Sequence, residues 1–224
     1  MKKFELTDEY IFHRGKKLFR IRALRDFGPV KRGDIGGFVE KESNLSQEGN
    51  CWIYDNAKVF DYGTVWSNAT LWNEAEVSGH ASISDGVSIS DSAIVNDCAY
   101  VGGEVDICDN AWVHGHAYLN GNVRVFNKAE IDGPVMLTGE QWICGEAIVR
   151  NQQDCASVQG FGKAYRNTTF FRDQEGGVSV SCGCFYGALQ EFREKVKQTH
   201  GESKIAKEYL MIADLMETHF SKEE

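Results

Sequence analysis

From Ile53 to Val149 an aliphatic residue recurs at every sixth position without an insertion. The series runs Ile53, Val59, Val65, Leu71, Val77, Ile83, Ile89 and onward, seventeen members that are all Ile, Val or Leu. Two places before each stands a small or modest residue, Ala in most hexads (Ala57, Ala69, Ala75, Ala81), and Gln141 is the one polar exception. Two places after each stands Gly, Asn or Asp, with Ser67 the single departure among the seventeen. Alternating inward and outward residues is strand periodicity. A Gly, Asn or Asp at every sixth position supplies a corner, because these residues tolerate positive φ. Short strands joined by regular corners predict a coil, and stacked coils predict a parallel β-solenoid in which each strand pairs with the coil above.

The pattern resembles the hexapeptide-repeat superfamily, the left-handed parallel β-helix in which three hexads close one triangular turn. The left hand is an implication of that resemblance, since the general crossover preference is right-handed. The run IRALRDFGPVKRGDIGGFVEKESNLSQEGNCWIYDNAKV (Ile21 to Val59) narrows the match to YdcK-like hexapeptide-repeat proteins of bacteria and prophages. The likeness spans most of residues 18–150 and reaches a tail with an SCGCF core. It implies a fold and a phage or prophage origin, and brings no settled activity.

A solenoid needs caps at both ends, so the chain divides into an N-terminal basic cap (1–50), the β-helix (51–155) and a small α+β C-terminal module (156–224). Leu18 to Leu24 alternates apolar and basic residues and reads as a strand. After Gln159-Gly160 the six-residue register fails. Asn167–Arg172 and Val178–Ser181 flank Asp173–Gly177 as a predicted hairpin. Tyr186–Thr199 carries Leu189, Phe192 and Val196 at helical spacing. Gly201 ends that helix, and Ser203 caps a second one holding Ile205, Tyr209, Ile212, Leu215 and Met216.

Charge is distributed unevenly. Residues 1–33 hold ten Lys/Arg against four Asp/Glu, whereas 34–155 hold five against nineteen. An acidic body argues against general nucleic-acid binding, which needs a basic surface. The basic segment could still contact nucleic acid; the readings preferred over that are a solvated face, or a segment docked on the acidic body of its own chain or a neighbour. No apolar run approaches the roughly 20 residues of a membrane span, and the seven Cys show no disulfide-scaffold spacing. The expected location is therefore cytoplasmic, with reduced thiols and no membrane partner.

Several constellations are candidates for chemistry. His80, Cys98 and His116 fall in one corner column, eighteen residues apart, with His114 on an adjoining strand. Relatives in the superfamily include CoA-dependent acyltransferases with a His general base, and a zinc-dependent carbonic anhydrase group. By that resemblance His80, His114 and His116 are candidate bases, and His80, Cys98 and His116 candidate metal ligands. The alternative for all of them is a solvated corner ladder. The corner column Asp55, Asn73, Asp91, Asp109 and Asn127 could attract a cation, but corners need Asx residues in any case. The long loop that commonly interrupts the repeat in the acyltransferases is missing, as are P-loop, GxSxG and HExxH motifs. No cofactor is called for.

Arg166, Thr168, Thr169, Phe171, Arg172 and Tyr186 in the tail combine cationic, hydroxyl and aromatic groups suited to a phosphate or nucleotide. Outward aromatics at the first coils (Trp52, Tyr54, Phe60, Trp66, Trp72) and the far end (Trp112, Tyr118, Phe126, Trp142) must be covered by the flanking segments or by another chain. The resemblance implies a homo-oligomer, a trimer or dimer. The first functional expectation is a non-catalytic binding or scaffold protein. It would be phage- or prophage-encoded and would hold or sequester a host protein or a small anionic, nucleotide-like ligand, as in countering a host defence. The alternative is a CoA-dependent acyltransferase of the hexapeptide-repeat type.

Overall fold

The computed structural model describes residues 2–221. Each hexad folds alike. Ala93 and Val95 point inward and are fully buried, Ile94 and Asn96 point outward, and Asp97 and Cys98 turn the corner in the open. Asp55, Asp61, Ser67, Asn73, Asp85, Asp91, Asp97, Asp109 and Asn127 all sit at φ between 50° and 60°. The left-handed conformation costs an L-residue about 1–2 kcal/mol, least for Asn and Asp. The corner side chains offset this by accepting amide N–H groups one coil on. Asn73 donates to Asp55 (3.1 Å), Asp109 to Asp91 (3.2 Å), Asn127 to Asp109 (2.8 Å) and Gly145 to Asn127 (3.1 Å). This bond explains the Asx preference beyond φ alone.

Seventeen short strands between Trp52 and Val149 build three parallel faces. Face one runs through Lys58–Val59, Glu76–Val77, Ile94–Val95, Trp112–Val113, Glu130–Ile131 and Ile148–Val149. Face two begins at Trp52–Ile53 and ends at Trp142–Ile143; face three runs from Thr64–Val65 to Met136–Gly139. Partners stand eighteen residues apart, as in Ile94 with Trp112 and Ser88 with Asp106. Three hexads therefore make a turn, and the solenoid has about six turns. Gln141, the polar departure, lies half-buried in the last coil.

At the N-terminal end β1 (Phe4–His13) and β2 (Lys16–Ala23) form an antiparallel hairpin through Arg14-Gly15. β2 pairs with β3 (Ile35–Val39), and β3 joins face one beside Lys58–Val59. An irregularity between Arg20 and Arg22 lets both Leu18 and Ile21 turn inward, where strict alternation would bury only one of them. The hairpin covers part of the aromatic set. Trp52 is buried against Phe4 and Phe27, and Phe60 against Leu18 and Phe38. Tyr54 is half-buried and stacks on Trp72 at 3.6 Å, while Trp66 and Trp72 remain exposed. Basic residues of the hairpin meet the acidic body: Lys16 pairs with Asp61 at 2.7 Å and Arg14 with Glu76 at 3.1 Å. The hydrogen bond from Lys16 holds the Asp61 carboxyl below its usual range.

Past Val149 the chain forms an antiparallel sheet of Cys155–Phe161, Arg166–Arg172, Val178–Cys182 and Phe185–Ala188, in that order. Helices α1 (Leu189–His200) and α2 (Lys204–His219) pack on it. The predicted hairpin turn is present, with the Gly177 amide donating to Asp173 Oδ1 at 2.8 Å. The first helix starts at Leu189 and not at Tyr186. The stretch Phe185–Ala188 pairs with Val178–Cys182 as a fourth strand, and the Glu191 carboxylate accepts the Ala188 amide at the helix start (2.9 Å). Gly201 closes α1 at φ 54°, and Ser203 Oγ caps α2. Leu215 is exposed, contrary to expectation, because Tyr209, Ile212, Ala213 and Met216 form the buried stripe and Leu215 lies off it.

Candidate functional site

Strand alternation decides where the tail residues go. From residue 167 to 172 the odd positions face the solenoid and the even ones face the helices. Phe171 plugs the solenoid core, whereas Phe170 belongs to the core of the tail. Thr169 is buried, its Oγ1 accepting the Trp142 amide at 3.2 Å. Thr168 is buried on the other side against Cys182 Sγ (3.1 Å). Arg172 lies over the Phe220 ring and donates to the Gly176 and Phe220 carbonyls. Tyr186 packs on Gly145, where any Cβ would meet its hydroxyl. The six residues named from sequence therefore do not converge, and of them only Arg166 reaches the cavity between the two parts.

That cavity, of about 530 Å³, opens between the last coils and the sheet. Asn122, Glu140 and Trp142 form the solenoid wall, and Arg166, Asn167, Ser181, Gly183 and Cys184 the tail wall. The Arg124 guanidinium lies 5.1 Å from the Trp142 ring centre. Gly183 lets the Arg166 guanidinium lie close, since a Cβ there would fall 2.5 Å from Nη1. Asn167 Oδ1 is buried in this wall without a hydrogen-bond partner. Leaving such an acceptor unpaired costs about 1–3 kcal/mol, so it marks a place for a donor. Asn167 and Trp142 escaped the sequence reading as a site, because the cavity arises where a repeat meets a strand outside it and neither carries a periodic signal for the other.

The histidines separate as well. His80, Cys98 and His116 do stand in one column, all exposed, and His80 stacks under Tyr62 at 4.6 Å. Among the described residues they form no group closing on one point. His114 differs. Its ring stacks on Trp112 at 3.9 Å, its Nδ1 faces Asp132 (3.4 Å) and Asp97 (3.7 Å), and its Nε2 faces Glu130 at 3.5 Å. Nε2 is buried without a hydrogen-bond partner. A second cluster, Asp91, Cys108 and Asp109, is a poorer donor set. Burial, aided by nearby carboxylates, pushes the Cys108 thiol up to about 11, and Asp91 Oδ2 already accepts the Asp109 amide.

All seven cysteines are free, and among the described residues no helix is long and apolar enough to cross a membrane. No family model matches the chain. Over 63 residues it is 43% identical to the "Uncharacterized acetyltransferase YdcK" of Escherichia coli (strain K12), a match covering 25% of this chain and 19% of that protein. The hexad solenoid and this local identity together make the chain similar to YdcK and to the hexapeptide-repeat proteins at large.

Proposed function

We propose that the chain is a binding protein whose junction cavity takes a small anionic ligand bearing a planar base, of the nucleotide class. The observation that carries this reading is the unpartnered Asn167 Oδ1 in a cavity walled by Trp142 and Arg166. An indole face stacks on a base, a guanidinium pairs with phosphate, and the amide oxygen accepts from a ring N–H or exocyclic amine. Sequestration needs no more than these contacts. Calorimetric titration with nucleoside mono- and diphosphates and with coenzyme A tests it. Micromolar binding of at least one is expected, at least tenfold weaker in Trp142→Ala and in Arg166→Ala with unchanged melting. A flat titration across the panel, or binding indifferent to both substitutions, removes the reading.

The name of the E. coli relative favours a second reading, acyl transfer from CoA. A general base has to reach its proton, and His114 Nε2 is closed off within this chain whereas His80 and His116 are exposed. Acetyl-CoA turnover that disappears when His80, His114 and His116 are together replaced by Asn would put this reading first.

A further inference from the structure

The cluster at His114 lies on face one, away from the junction cavity, and no step of the proposed binding uses it. Strand parity turns Trp112 and His114 outward together, and the eighteen-residue register sets Glu130 beside Trp112. Asp132, one coil beyond His114, follows by the same register. His114 is 11% exposed at its side chain, with the ring held by the Trp112 stack. Its nitrogens face carboxylate oxygens at 3.4, 3.5 and 3.7 Å, longer than the 2.7–3.2 Å of a hydrogen bond to nitrogen. Two ligands each about 2.1 Å from one ion, at a tetrahedral angle, lie about 3.4 Å apart. Glu130 Oε1 thus stands from Nε2 at the spacing of two donors on one cation, while Asp132 and Asp97 face the ring's other nitrogen. One ligand atom from each of His114, Glu130 and Asp132 falls within 4.8 Å of the other two. Three carboxylates, Asp97 included, gather here against one cation, Arg150, whose Nη2 is 3.5 Å from Glu130 Oε1 and whose side chain is mostly exposed.

We infer that face one carries a binding site for a first-row divalent transition cation, with His114 Nε2 and Glu130 as ligands and Asp132, which approaches the ring from the Nδ1 side within reach of both, as the third. One imidazole with two carboxylates suits Zn²⁺, Co²⁺ or Mn²⁺ better than a soft monovalent ion. Asp97 faces Nδ1 and orients the ring from the outer shell; its Oδ2 is itself fixed by the Gly115 amide at 3.2 Å. The ion gives the unpartnered Nε2 its partner. Ligation would also take His114 out of the set of candidate bases.

The test adds Co²⁺ to the chelator-treated full chain and follows the visible d–d bands, with Zn²⁺ as competitor. One Co²⁺ per chain is expected, with micromolar affinity and displacement by Zn²⁺. Asp132→Asn and His114→Gln each weaken it at least tenfold, the range for lost ligand support, with little change in metal-free melting. Should His114→Gln fail to fold, Asp132→Asn alone decides. The double variant Cys98→Ser, His116→Asn binds as the parent does. Absence of saturable binding up to millimolar Co²⁺ overturns the inference. So does binding unchanged by Asp132→Asn, or binding lost in the corner double variant.

Discussion

The solenoid and the tail both bury an apolar face, by different means. In the solenoid one solution is repeated. A small and a branched residue point inward, a corner follows, and the backbone ladder joins coil to coil. Each coil meets only its neighbours. In the tail, four strands and two helices share one core of unlike residues, Phe170, Val180, Phe192, Tyr209 and Met216. Phe170 and Phe171 are adjacent in the chain, yet each serves a different core. Periodic burial makes a segment readable and its neighbours interchangeable, whereas mixed burial makes every residue particular.

The sharpest way to break the comparison is a charge inside the repeat. Ile107 is fully buried, so Ile107→Asp strands an unpaired carboxylate at a cost of several kcal/mol. The expected outcome is loss of the solenoid transition in circular dichroism melting; a melt like the parent's would refute the inward assignment. Next come Phe171→Ala and Phe170→Ala, each costing about 3–5 kcal/mol. Hydrogen exchange should rise in the last coils for the first and in α1 and α2 for the second. Equal patterns would mean a single shared core.

The inward and corner positions of the solenoid were legible because the physics there is local and repeated eighteen residues apart. β1 was not, since Phe4–His13 makes sense only once β2 offers it an edge and Trp52 needs cover. The helix expected from Tyr186 failed at its start for a similar reason: an unpaired strand edge outbid local helical spacing. At the candidate site, Arg166 was legible as a cation in a mixed segment. Asn167 was not, because what distinguishes it is the absence of a partner in space.

A smaller effect tests the corners. Asp109→Ala loses the left-handed tolerance and the bonds from Asn127, and should cost about 1–3 kcal/mol. Asp109→Gly restores the backbone freedom, so the difference between the two melting temperatures isolates the left-handed backbone cost, and the loss that remains in Asp109→Gly belongs to the ladder bonds. Equal losses would assign the whole cost to those bonds.

Smallest of all is the thiol contrast. Burial pushes Cys155 up to about 12 and Cys144 up to about 11, whereas Cys98 and Cys184 are exposed. Alkylation at pH 8 followed by mass spectrometry should label Cys98 and Cys184 first and Cys155 last. Unfolded thiols ionise near about pH 8.5, while these folded ones keep their protons. The unfolded state then binds fewer protons, so stability falls as pH rises from about 8.5 toward 12. Cys155→Ala should flatten that alkaline slope, and an unchanged slope would count against the buried thiol as its source.

A hexad repeat contains no instruction to stop, and every finished coil presents a growing end of free amides and carbonyls. Here the count is set from outside the repeat, by an antiparallel hairpin at one end and by the Phe171 plug at the other. The strand that carries the plug arrives at a fixed angle around the triangle, its Thr169 accepting the Trp142 amide on face two. Length in this architecture is consequently quantised in eighteens. One added turn would return the tail to the same face with its cavity intact, while one added hexad would rotate it by a third of a turn and leave Arg166 facing a different wall.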